Sequence, residues 1–411
     1  MKKKNLAFII LMALSLFWVG CKKDDHDHDD DHDTCENVVL VKVAALVSET
    51  GDWSNLGLSS EAAIEIAIEE INADFETRDL PYRFELTVFD TQLNPVLAAS
   101  SMQNLADAGF RIVIGPQSSS EVGAVKALAD SLGILVVSQG STASSLAIAD
   151  DFVFRYVPGD QIEGAAMANT IYTAGKQAMV TLARNDAGNL GLQNAVTTYF
   201  TAAGGTAVSA GNYDPATTDF STSLTAVRNE IQNLNATYPL SAIGVYLASF
   251  DEAVALFNQA ATDPVLASVH WYGGDGFIRN EALLADPLAS QFAVNTQFFS
   301  PEFGLPTSTE SIWSPLLADV YTRSGVVGDA YTLTAYDAMK VVAKLIENNA
   351  GVPTSSSTFK TEFFNLSNSH SGATGLISLN AEGDRANGSF DYWGVEVVNG
   401  VYGWVYVGSS E

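Results

Sequence analysis

A chain of 411 residues, 47% of them hydrophobic, carries material for two domains of ordinary size, each with its own core. Acidic residues outnumber basic ones 48 to 20, a formal net charge of -28, which argues against nucleic acid and anionic membrane surfaces as partners. The same shortage of Lys and Arg leaves little to hold a strongly anionic ligand.

The first residues read as a processing segment. Lys2-Lys3-Lys4 forms a basic start, and Leu6 to Val19 an apolar run shorter than the ~20 residues that cross a bilayer. The run closes on Trp18-Val19-Gly20-Cys21, which resembles a bacterial lipoprotein cleavage site, with Trp18 where an aliphatic residue is usual. On that resemblance residues 1–20 are a signal peptide, and Cys21 is lipidated and anchors the mature protein to a membrane outside the cytoplasm. Residues 21–35 follow as an acidic tether, because the tract Asp24 to Asp33 cannot bury apolar surface. Its His and Asp side chains have no fixed geometry, so the tract reads as a solvated spacer and no metal is assigned. The Lys-then-acid order also resembles the surface-export tags of Bacteroidetes-type lipoproteins. With Cys21 acylated, Cys35 is unpaired and no disulfide framework or Cys-based metal site is available.

The folded part begins at Val38 with a strand to Val47, an apolar run broken only by Lys42, as in strands buried on both faces. A loop rich in Gly and polar residues (Ser48 to Gly57) leads to a helix whose stripe is Ile64, Ala67, Ile68 and Ile71. Tyr82–Asp90 alternates as a strand and Pro95–Ala108 is helical. Residues 111–145 then repeat strand, hydroxyl-rich turn, helix, strand, hydroxyl-rich turn. The strands are Ile112–Ile114 and Ile134–Val137; the helix stripe is Val122, Val125, Leu128, Ala129 and Leu132; the turns carry Ser118, Ser119, Ser120 and then Gly140, Ser141, Thr142. Such turns fall at the carboxyl edge of a parallel sheet, where open α/β folds bind ligands, and a helix N-terminus there offers free N–H groups to an anion. The alternative is that Ser118 to Ser120 only cap the helix. Phe152–Val157 supplies a fifth strand.

The pattern restarts with helices over 162–174, 190–203, 220–234 and 252–261. Strands alternate with them at Ala178–Ala183, Thr206–Tyr213, Ala242–Ala248 and Val269–Tyr272. Then come a strand at Phe292–Thr296, helices at 312–322, 331–348 and 359–364, a turn at Gly383-Asp384, and a hairpin over Val395–Val407 about Asn399-Gly400. The fold class is α/β, with two doubly wound lobes.

Several landmarks now align. Thr50-Gly51 and Gly57 precede Ala62-Ala63-Ile64 to Ile71-Asn72-Ala73. Ile114-Gly115-Pro116 precedes Ser118 to Ser120, and Ser138 to Ala143 follows. Phe154-Arg155 runs through Pro158 to Asp160 and Gly164. Further on stand Tyr213-Asp214-Pro215, Ala335-Tyr336-Asp337-Ala338, and Gly375-Leu376-Ile377 with Gly383-Asp384. In order and spacing these resemble the type I periplasmic binding proteins of the branched-chain amino acid receptor (Leu/Ile/Val-binding) family, over essentially everything after the tether.

The resemblance implies two Rossmann-like lobes joined by three crossings and closing on a ligand like a hinge. Lobe 1 would be 36–158 plus 290–372 and lobe 2 159–289 plus 373–411, with crossings near Pro158, Ala289 and Gly372. It implies that Ser119 and its neighbours hold a ligand carboxylate, that Gly140 and Thr142 take carboxylate and ammonium, and that Asp275 pairs the ammonium from the second lobe. Asn189 stands where the family usually has an aromatic. Trp53 either covers the ligand or packs its own loop. Glu49 and Asp52 add acid to the first loop, so an amine-bearing solute is expected. Arg155 reads as a hinge ion pair rather than a ligand group.

An enzyme is the rival class. The chain lacks G-x-G-x-x-G, G-x-x-x-x-G-K, H-E-x-x-H and G-x-S-x-G, and has only His270 and His370 outside the tether. No cofactor is expected. The expected partners are a small amino-acid-like molecule, an ABC permease, and the membrane through the lipid anchor only. The alternatives are a sensing or surface-capture protein uncoupled from transport, and a receptor for a solute that is not an amino acid.

Overall fold

The computed structural model describes residues 38–410. The expected signal peptide, Cys21 and the tether to Cys35 lie outside the described residues. No helix among the described residues is long and apolar enough to cross a membrane.

The first sheet has six parallel strands in the order Asp384–Arg385, Val153–Pro158, Leu135–Ser138, Ile112–Ile114, Val39–Val47, Tyr82–Asp90. Its central strands are continuous apolar runs because helices cover both faces. Val43 to Val47 and Ile112 to Ile114 are fully buried, whereas Val39 and Leu40 stand exposed at the entering end. The helix Ser54–Thr77 buries the expected stripe Ile64, Ala67, Ile68 and Ile71. On Ser119–Leu132 the buried stripe is Val122, Val125 and Ala129, while Leu132 is exposed.

The second sheet has seven strands in the order Val401–Ser409, Phe390–Val398, Phe299–Phe303, His270–Gly273, Ile243–Ala248, Ala178–Arg184, Thr206–Tyr213. The last five are parallel to one another, and the C-terminal hairpin adds antiparallel to Phe299–Phe303. The α/β architecture with two lobes is therefore as expected.

Three points differ. The strand expected at Phe292–Thr296 is the end of a helix, Pro287–Asn295, started by Asp286 accepting the amides of Leu288 and Ala289 with Pro287 at the first helical position. Ala289, Phe292 and Ala293 belong to the second lobe's core, so no crossing falls at Ala289. The strand lies later, at Phe299–Phe303, still in the second sheet, and the chain leaves that sheet at Gly304.

Gly372 is not a crossing either. The fully buried Asp337, on a helix (Ala330–Asn348) packed on the first sheet, accepts the amides of Ala373 and Thr374 at 2.8 and 2.9 Å and so fixes this segment to the first lobe. The last passage comes between Arg385 of the first sheet and Phe390 of the second. The three passages lie side by side. A Cβ on Gly388 would stand 2.3 Å from Pro158 and 3.2 Å from the Phe303 ring, and the Gly304 amide donates to Ser389 at 2.8 Å.

Candidate functional site

Both hydroxyl-rich turns of the first lobe lie at the carboxyl ends of adjacent strands, and hydrogen bonds tie them into one rigid wall. Ser118 is the N-cap of Ser119–Leu132. Its hydroxyl accepts the Glu121 amide, and the Glu121 carboxylate takes back the Ser118 amide and hydroxyl, which is a capping box. Ser119 therefore sits in the first turn, where an α-helix supplies no carbonyl for its amide. Its hydroxyl accepts from the Ser141 hydroxyl and the Ala143 amide, each at 3.1 Å. Gly140 lies where a Cβ would meet the Gln117 carbonyl at 2.8 Å and the Trp53 ring at 3.0 Å. Close approach demands glycine there. The Asp160 amide donates to the Thr142 carbonyl at 2.9 Å, which joins the second turn to the helix that opens the other lobe.

Facing this wall, Asp275 opens a short 3-10 turn after His270–Gly273. Its carboxylate accepts from the Tyr331 hydroxyl at 2.7 Å, across the seam between lobes. Burial pushes the Asp275 carboxyl up to about 6, against the pull of the Tyr331 hydroxyl. The first-lobe residues Ser118, Ser119, Gly140, Thr142 and Trp53 line one cleft with Asp275 and Asn189 of the second lobe. The space left free in the cleft is about 20 Å³, room for about one water and far below the ~300–1,000 Å³ of open small-molecule sites, so a solute enters only when the lobes part.

Two of the nine residues singled out for ligand contact stand elsewhere. Ser141 is fully buried and turns its hydroxyl to Ser119, so it orients that group. The Ser120 hydroxyl accepts the Ala187 amide at 3.4 Å, a contact between lobes. Asn189 borders the cleft, but its side chain donates to Asp186 at 2.9 Å.

Trp53 packs between the lobes. Its ring stacks on Phe250 at 5.0 Å and meets Tyr331 edge-on at 6.5 Å, closing one end of the cleft, while its amide donates to Asp251 at 2.7 Å. Phe250 supplies from the second lobe the aromatic surface that Asn189 lacks. The expected acidic lining of the first loop needs correction. Asp52 is paired with Arg184 at 2.7 Å, and neither Asp52 nor Glu49 borders the cleft. Arg184 also meets Glu252 at 3.0 Å and Asp186 at 3.1 Å. Arg155, as expected, pairs with Asp384 through two contacts of 2.5 and 2.6 Å.

Behind Asp275 stand residues to which the sequence reading gave no role in binding, Asp160, Glu163 and Tyr246. All three are wholly buried. Burial pushes Asp160 up to about 7, and it raises Glu163 well above the usual carboxylate range, reinforced by the charges of Asp275 and Asp160. A signal existed for Asp160 and Glu163, which lie one turn apart at the start of a helix, right after the first crossing. Phe250 and Tyr331 had none, because their place depends on the lobes meeting. Among the described residues no group of three or more His, Cys, Asp or Glu is arranged to hold a metal ion.

Several solved structures share this fold. The leucine-binding protein LivK of Thermotoga maritima is 21% identical, with a TM-score of 0.73 over 90% of this chain and 98% of that one. The branched-chain amino acid substrate-binding protein LivJ of Streptococcus pneumoniae, solved with isoleucine, is 20% identical, with a TM-score of 0.71 over 90% and 100%. A solute-binding protein of R. palustris in complex with benzoate is 16% identical, with a TM-score of 0.70 over 90% and 96%. An uncharacterised protein of Methanocaldococcus jannaschii is 27% identical over 397 residues, 92% of each chain. The family model described as the receptor family ligand binding region matches residues 59–397. With its two lobes and enclosed cleft, this chain belongs to that ligand-binding family.

Proposed function

We propose that the protein captures a small amine-bearing solute, an amino acid or a derivative of one, by closure of its lobes. The observation that carries this is the opposition within one cleft of the Ser119 and Thr142 turns to the buried Asp275. The turns offer N–H and O–H donors to a carboxylate, and Asp275 offers a desolvated negative charge to an ammonium. Because the partners belong to different lobes, a solute that bridges them favours the closed form over the open one. The isoleucine held by LivJ and the leucine-binding name of LivK support the same chemistry, whereas a benzoate-like acid has no ammonium to set against Asp275. Delivery to an ABC permease and anchoring through Cys21 complete the proposal, as an extracytoplasmic lipoprotein.

Calorimetric and thermal-shift titration of the purified protein against the proteinogenic amino acids and a set of aromatic and aliphatic acids tests the ligand class. Binding of acids but of no α-amino compound sinks it. Asp275→Asn, nearly isosteric, is expected to weaken amino-acid binding by about 1.5–3 kcal/mol, the worth of a hydrogen bond to a charged group, or roughly 10- to 150-fold in Kd. Unchanged affinity would move the ammonium site elsewhere. Labelling with a radioactive fatty acid in a bacterial host, lost in Cys21→Ser, tests the anchor.

A further inference from the structure

Glu163 lies on the helix Asp160–Thr173, beneath the floor of the cleft rather than in it. One of its oxygens accepts the Asp275 amide at 3.3 Å, and the two carboxyl groups stand within hydrogen-bonding reach of each other. An oxygen–oxygen contact between two carboxyls is a hydrogen bond only if one of them carries a proton. The second Glu163 oxygen, Asp160 Oδ1 and the Tyr246 hydroxyl are buried without a protein partner. Tyr246 and Glu163 converge under Gly274, 3.2 and 3.8 Å from where its Cβ would be.

The surroundings leave this group short of positive charge. Asp160 faces Glu163 from the same helix, Asp275 and Tyr246 from the strand ends above it, and Tyr331 and Tyr392 from further elements; Asp329 acts on Asp275. The cation that Asp160 senses, Arg155, is held on both oxygens of Asp384. Three carboxyls taken out of water cannot all be ionised at modest cost, so a proton stays among them.

We propose that Glu163 is a positioning residue that shares a proton with Asp275, and that the ligand's ammonium displaces this proton to solvent on binding. The proposal rests on the reading of Asp275 as the ammonium's partner. The charge balances. Before binding, two carboxyls and one proton carry one negative charge; afterwards, two carboxylates and one ammonium carry the same. Burial, which raises both groups, keeps the proton in place near neutral pH.

Two measurements separate the parts of this idea. The first needs no ligand: urea unfolding of the wild type and Glu163→Gln between pH 5 and 8.5. A carboxyl raised in the folded state contributes stability that is complete below its unfolded value, about 4.3. That stability is lost as pH rises through the folded value, so the wild type should weaken with rising pH. Glu163→Gln keeps the donor and loses the titration, so its curve should be flatter by up to one proton per molecule. Parallel curves overturn the shared proton.

The second is calorimetric titration with the proteinogenic amino acids as probes, in phosphate and in Tris, from pH 5.5 to 8. The wild type should release up to one proton per probe bound and lose affinity by up to about tenfold per pH unit on the acid side. Glu163→Gln should release none and bind with little pH dependence. Equal proton release in both overturns the displacement. Binding of no probe overturns the ammonium reading and the displacement with it, while the unfolding curves still decide whether the proton is shared.

Discussion

Removing the carboxylate from the Arg155–Asp384 pair should damage the protein far more than removing both partners. The guanidinium holds Asp384 through contacts of 2.5 and 2.6 Å and turns its remaining Nη1 to the Ala143 carbonyl at 2.6 Å. Side-chain exposure is 2% for Arg155 and 8% for Asp384, so neither charge is hydrated. Burial pushes the Asp384 carboxyl up although Arg155 pulls it down, and a buried pair of this kind contributes little net stability once both charges have lost their water.

Asp384→Leu leaves a guanidinium buried with only one carbonyl, a cost of about 3–5 kcal/mol for an uncompensated buried charge. Arg155→Met combined with Asp384→Leu replaces the pair by apolar volume and should regain most of that loss. Urea unfolding of the two single variants and the double variant, closed as a thermodynamic cycle, measures the coupling. Because Arg155 also holds the Ala143 carbonyl beside the second hydroxyl turn, Asp384→Leu should weaken ligand binding as well. A single variant within 1 kcal/mol of the wild type, or a double variant no better than the single, refutes the reasoning.

Tyr331→Phe removes one hydroxyl, which reaches Asp275 only when the lobes meet. Ligand affinity at pH 7 should fall roughly tenfold, consistent with ~1.5 kcal/mol for a charge-assisted bond, and the acid-side loss of binding should shift to higher pH because Asp275 loses a donor that holds it down; calorimetry at several pH values reads both. Gly140→Ala places a methyl 2.8 Å from the Gln117 carbonyl and 3.0 Å from the Trp53 ring, so it should push the second turn or Trp53 out of position. Its measure is binding lost by at least tenfold, a floor of ~1.4 kcal/mol, with an unfolding midpoint that moves much less.

Much of the fold was legible because it depends on local pattern. The apolar runs Ile112–Ile114 and Ala178–Ala183 are short, β-branched or small, and bounded by turns, and they form central strands. Helix 287–295 was misread because Phe292-Ala293-Val294 looks like a strand, although Asp286-Pro287 just before it carries a helix-start signature. The passages between lobes were misplaced for a different reason. What fixes Gly372 to the first lobe is Asp337, 35 positions earlier, and no local pattern announces such an anchor.

At the site, sequence reading gathered the first-lobe wall from two hydroxyl clusters but could not divide the work among them. Ser118 caps, Ser141 orients, Ser120 reaches the other lobe, and Ser119 faces the cleft. Residue type is the same in all four, and only the direction of each side chain separates them. Asp52 and Asp275 are both acids near the seam, yet Arg184 neutralises one and burial isolates the other.

The sequence by itself determined two α/β lobes and the edge of the first sheet that carries the hydroxyl turns, since periodicity, turn chemistry and capping act within a few residues; Asp275 became a candidate only through the family resemblance. Tertiary structure alone decided where the chain crosses between lobes. It also decided that Trp53, Phe250 and Tyr331 close the cleft, and that Asp160, Glu163 and Asp275 share one dry space. Those outcomes depend on which charges lose their water and which partners face them, and both are properties of the assembled fold rather than of any stretch of chain.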